Sequence, residues 1–124
     1  MELKKKKRLI DKNEVPTYQT TIHGVCVLEV EAGTNGKKGG DSSHGSRTYL
    51  RLTDLASTDI EARVIESDDE NNHGNGLEIT LGGDGELTAF INALDYASTV
   101  LKAQKENREV KKELIKFYDT DVFN

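Results

Sequence analysis

The period of the hydrophobic residues changes once along this chain, at Gly82-Gly83-Asp84-Gly85. Upstream, apolar and polar residues alternate, as in strands with one buried face. Downstream, Leu87, Phe90, Leu94, Ala97 and Leu101 recur at three- and four-residue steps, with Ile91 and Val100 broadening the stripe. That is the period of an amphipathic helix. In 124 residues there is room for one core and not for two. Strands first and helix last, joined mostly by short connections, suit an antiparallel sheet rather than a parallel one.

Four strands are expected. The first runs from Tyr18 to Glu31, with Ile22, Gly24, Cys26, Leu28 and Val30 on one parity and Thr21, His23, Val25, Val27 and Glu29 on the other. Residues 47–53 alternate again, with Arg47, Tyr49 and Arg51 opposite Thr48, Leu50 and Leu52. Residues 54–58 then read as a turn. Ile60 to Ile65 makes a third strand, and Leu77, Ile79 and Leu81 mark a fourth. Asp84 is placed as helix N-cap, with Glu86 in the first turn. Gln104 to Glu109 has no apolar residue; Val110, Leu114 and Phe117 resume the helical stripe, to about Tyr118. The fold class expected is α+β: a four-stranded antiparallel sheet (ββββα) with a C-terminal helix packed on one face. The division expected is a basic N-terminal arm at 1–16, the ββββα domain at 17–106 and a C-terminal helical extension at 107–124.

Charge is distributed unevenly. The net of −5 resolves into +3 over residues 1–15, −9 over 16–101 and +1 over 102–124. An acidic body with a basic arm is not the profile of a uniformly basic nucleic-acid binder. The arm reads as a solvated terminus, with phosphate or an acidic protein surface as the alternative contact. A single cysteine, Cys26, rules out an intramolecular disulfide and a multi-cysteine zinc site. Its parity makes it a buried small hydrophobe. No apolar run has the length of a membrane span, and no apolar segment follows the basic start as a secretory signal requires. A cytoplasmic setting without membrane contact is expected.

Residues 32–46 hold five of the eleven glycines and no hydrophobic period. Glycines permit close backbone approach to an anion, and Lys37 and Lys38 would add charge. The phosphate-loop signature fails, because no Ser or Thr follows the lysines and a strand, not a helix, comes next. Asp41, Ser42, Ser43, His44 and Arg47 offer a carboxylate, hydroxyls, an imidazole and a guanidinium. Triad members are normally assembled from separate elements, so an Asx-type turn with His44 on a backbone carbonyl is the plainer reading. Asp68, Asp69, Glu70 and His73 fail the calcium-loop pattern: counting from Asp68, the sixth position is His73 and the twelfth Ile79. They read as a solvated acidic turn. No metal and no cofactor is expected.

On the second strand Arg47, Tyr49 and Arg51 share a face, with Arg63 expected beside them. Arginine and aromatic groups on a sheet can hold phosphates and stack bases. Glu29, Glu31, Glu61 and Glu78 on the same parity point instead to ion-pair decoration. Gly39, Gly40, Asp41, His44, Gly45 and Arg47 form a GGD-x-x-HG-x-R stretch between two strands. In this the chain resembles uncharacterised small proteins of phages and mobile elements, a resemblance that implies a context and no activity. The ββββα topology with a basic-aromatic face also resembles single-strand-binding transcription coactivators.

The function expected is that of a non-enzymatic binding or inhibitor protein whose acidic body is steered to a basic, nucleic-acid-handling protein. In a phage context this would be an anti-defence role. Alternatives are a single-stranded nucleic-acid module using Arg47, Tyr49 and Arg51, and a nucleotide or small-anion site in the loop with Lys37, Lys38, Asp41, His44 and Arg47. Self-association is compatible with each.

Overall fold

The computed structural model describes residues 2–66 and 74–117. Six strands and two helices follow in order: β1 (Lys4–Ile10), β2 (Asn13–His23), β3 (Val27–Thr34), β4 (Thr48–Ala56), β5 (Ile60–Ile65), β6 (Gly76–Leu81), α1 (Asp84–Lys105) and α2 (Val110–Phe117). The fold is α+β. A four-stranded antiparallel sheet in the order β1-β2-β3-β4 carries α1 on one face, and β5 and β6 pair only with each other.

Of the four strands read in the sequence, those at 18–31 and 47–53 enter the main sheet, and the first of them is not one strand. The stretch from Tyr18 to Glu31 is two strands joined by Gly24-Val25-Cys26, with His23 opposite Val27 and Ile22 opposite Leu28. A three-residue connection makes every partner pair share parity, so the alternation runs through the turn and imitates one long strand. The face assignment therefore survives: Ile22, Cys26, Leu28 and Val30 are all buried together.

Residues expected as a basic arm form β1 and the start of β2. The hairpin turns on Asp11 and Lys12, both with positive φ (48° and 67°), the signature of a two-residue turn whose twist matches its strands. Four lysines hide this strand from a hydrophobicity reading. They also suit its place, since lysine blunts an exposed sheet edge against pairing. Ile60 to Ile65 and Leu77 to Leu81 are not continuations of the main sheet; they make the separate β5–β6 hairpin, so Arg63 lies opposite Glu78 and not beside Arg51.

The core lies between the even-numbered face of β2 and β3 and the helices. Leu28, Val30 and Ala32 meet Ala89, Ala93, Tyr96, Ala97, Val100 and Ala103 of α1, while α2 adds Val110 and Leu114. The helix thus buries its small residues and Tyr96, rotated from the expected stripe of Leu87, Phe90 and Leu94. Alanines let the helix lie close to the β-branched sheet surface. Leu87, Ile91 and Leu94 are left 59, 49 and 47% exposed. Gly83, not Asp84, occupies the N-cap position, and no side chain caps the helix. Glu86 instead accepts from the backbone N–H of Asp59 at 2.9 Å, tying the base of the hairpin to the helix. The acidic turn at Asp68, Asp69, Glu70 and His73 and the end of the helix at Tyr118 lie outside the described residues.

Candidate functional site

Two surfaces carry the residues singled out above. The first is the face of the main sheet opposite α1. The register sets Lys4, Gln19, Glu31 and Arg51 in one row and Lys6, Thr17, Gly33 and Tyr49 in the next. Among the described residues no helix packs here, yet Val15, Thr17 and Glu31 are almost wholly buried. Arg8 of β1 reaches Glu31 of β3 with two hydrogen bonds, of 2.7 and 2.5 Å, and its guanidinium sits 5.1 Å from the Tyr49 ring of β4. Thr17 donates a third bond to Glu31 at 2.7 Å. Gly33 is required at this crowding, because a Cβ there would lie 2.2 Å from the carbonyl oxygen of Pro16.

The bonds from Arg8 hold the Glu31 carboxyl below its ordinary range against the opposing effect of burial, and Arg8 is raised in turn. A buried carboxylate demands such partners, and its three acceptor bonds are a structural solution. This face is therefore an interlocked polar layer. The Tyr49 ring is thus in contact with a guanidinium of its own sheet. Arg51 is exposed and bonds Thr53 at 3.4 Å.

Arg47 precedes β4 and is also engaged. Its side chain is 12% exposed and pairs with Asp11 at 3.0 Å. It also donates to the carbonyls of Gly45 (3.0 Å), Ser46 (3.2 Å) and Ser43 (3.2 Å). Asp41 closes an Asx turn by accepting from the N–H of Ser43 at 2.9 Å. The imidazole of His44 is exposed and stands 3.7 Å from the Asp41 carboxylate, not on a backbone carbonyl as expected. The loop brings Asp41, His44 and Arg47 together as its own scaffold. Lys37 and Lys38 are exposed; Lys38 lines a cleft with residues of β1, β2 and the helix junction, and Arg51 lines one with the β5–β6 hairpin.

The second surface is the β5–β6 hairpin. Its register puts Ile60, Ala62 and Val64 beside Leu81, Ile79 and Leu77 on one face and Glu61, Arg63 and Glu78 on the other. This is the pattern of a sheet with one buried face. The face is not buried: Val64 is 70% and Leu77 64% exposed. With Leu50 and Leu52 of β4 the hairpin encloses an open apolar cleft of ≈ 450 Å³. An isolated two-stranded hairpin is marginal in water, so such a face calls for a cover.

The same segment holds the acidity. Residues 54–86 contain ten acids and one base, Arg63, a net of −9, which leaves +4 for the rest of the chain. Sequence reading spread this charge over the whole body. The hairpin's position and open face depend on β5 leaving the main sheet, which no local pattern signals. Comparison of the chain with family models, with curated proteins and with solved structures finds no match.

Proposed function

We propose that the protein is a non-enzymatic binding module whose β5–β6 hairpin docks a basic protein partner. The observation that carries this reading is the coincidence of an uncovered apolar face with the chain's acidic excess. Val64, Leu77, Ile79 and Leu50 receive the partner's apolar side chains. Asp54, Asp59 and Glu66 flank the hairpin in sequence, and Glu61 and Glu78 stand on its opposite face, giving the segment its negative charge. Apolar contacts at the centre set affinity, and carboxylates around them steer and orient a cationic partner. Proteins that handle nucleic acid present such basic surfaces. The resemblance to small phage and mobile-element proteins suits an inhibitor that occupies one of them.

The test is affinity capture with purified protein and three baits: wild type, Leu77→Asp and, on α2 away from the hairpin cleft, Lys111→Ala. A stoichiometric protein of high pI is expected on wild type and Lys111→Ala and not on Leu77→Asp. Equal recovery on all three baits overturns the docking face. So does a wild-type dimer in sedimentation that Leu77→Asp dissociates, because the face would then be covered by a second copy.

A further inference from the structure

A separate cleft of ≈ 650 Å³ opens at the other side of the molecule, where the start of the 35–47 loop meets the junction of α1 and α2. Its walls include Lys5, Tyr18, Asn35, Lys38, Asn107 and Arg108. These residues come from β1, β2, the loop and the helix junction, and only the fold brings them together.

The cleft is held in shape by its own hydrogen bonds. The Gln104 side chain accepts from the N–H of Thr34 at 2.8 Å and donates to the carbonyl of Pro16 at 2.9 Å, clamping α1 onto β2 and β3. Asn107 takes a left-handed conformation, φ 56°, just past α1. Its N–H donates to Gln104 O, and the N–H of Arg108 donates to Ala103 O at 2.8 Å, closing the helix in a Schellman arrangement. Arg108 is then braced by Glu106 and by Glu113, the latter at 3.0 Å.

The charges on the walls are mostly positive. Glu109 is the one carboxylate among the lining residues, and it pairs with Lys112 at 3.4 Å. Among the described residues neither Lys5 nor Lys38 has a carboxylate partner. Lys5 rests 5.9 Å from the ring of Tyr18. Arg108 is already neutralised by Glu106 and Glu113, so it is the two ammonium groups of Lys5 and Lys38 that suit an anion with charge on more than one centre. The Tyr18 ring and the Asn35 and Asn107 side chains suit an attached planar, polar group. The volume is that of a small-molecule site.

We propose that this cleft binds a small diphosphate-bearing ligand of nucleotide size. Lys5 and Lys38 hold the phosphates, and Tyr18 lies against the organic part. The site is distinct from the hairpin, so its failure and that of the protein-docking reading are independent.

The probes are inorganic pyrophosphate and ADP, titrated calorimetrically into the full chain. Both are expected to bind, and Lys5→Glu and Lys38→Glu are each expected to weaken binding by about tenfold or more. Lys111→Glu, on the exposed side of α2 and outside the cleft, is expected to change it by less than about twofold. Absence of binding by either probe overturns the proposal. Equal weakening by all three variants also overturns it, because that is the behaviour of diffuse surface charge.

Discussion

Arg8 and Glu31 show how far a single residue's role can lie from its local sequence. Arg8 sits in a run of four lysines and looks like one more solvated charge, yet it bridges three strands to reach Glu31 and Tyr49. Glu31 is 1% exposed, so removing its charge leaves Arg8 and Thr17 without their acceptor. Glu31→Gln is expected to lower stability by about 2–3 kcal/mol in urea unfolding, the range for a charge-assisted bond inside a protein. The pH dependence has a definite sign. The folded-state value lies below the ordinary 4.5, so this stabilisation is complete above 4.5 and is lost as pH falls from there through the folded value. Urea midpoints measured downward from pH 6 should fall over that window in wild type, and the fall should be smaller in Glu31→Gln. Neither Arg8 nor Gly33 was legible as part of this layer, because their partners stand on strands remote in sequence. The burial of Cys26 was legible, because parity alone decides it.

At the scale of elements, alternation assigned faces correctly and boundaries poorly. The three-residue turn at Gly24-Val25-Cys26 preserves parity and so leaves no mark in the pattern. The turn at Asp11-Lys12 does leave one in its backbone. A left-handed lysine is disfavoured at a position where glycine is preferred, so Lys12→Gly is expected to stabilise by about 0.5–1 kcal/mol. Thermal unfolding of the pair checks this. In α1 the helical period was legible and the buried side only in part: Ala97 and Val100 of the expected stripe are buried, whereas Leu87, Ile91 and Leu94 are not. Large apolar residues dominate the stripe in sequence, but the sheet is met mainly by alanines, with Tyr96 and Val100. Ala93→Leu is expected to destabilise by about 1–3 kcal/mol by overpacking, whereas Leu94→Ala should stay within about 0.5–1 kcal/mol. A reversed order would place the helix on the face read from sequence.

Across the whole molecule, the acidic excess falls on the segment that also carries the open apolar face of the hairpin. Residues 54–86 carry −9 and the remainder +4, a polarity that favours one orientation toward a cationic partner. The acidic excess was legible as a number but not as a place. Its place follows from β5 parting from the main sheet after Ser57, where φ is +56° and the chain changes direction. The Gly-rich loop is largely occupied with holding itself and β4 in position. Asn35 and Lys38 at its start also line the cleft shared with β1, β2 and the helix junction. The hairpin is therefore the central claim, and hydrogen exchange on the complex of wild-type protein with its captured partner tests it most directly. The account expects slowed exchange over 60–65 and 76–81 and at Leu50 to Leu52, with β1 and the 35–47 loop unchanged. Protection confined to β1 or the loop, with the hairpin amides exchanging as freely as before, would contradict it.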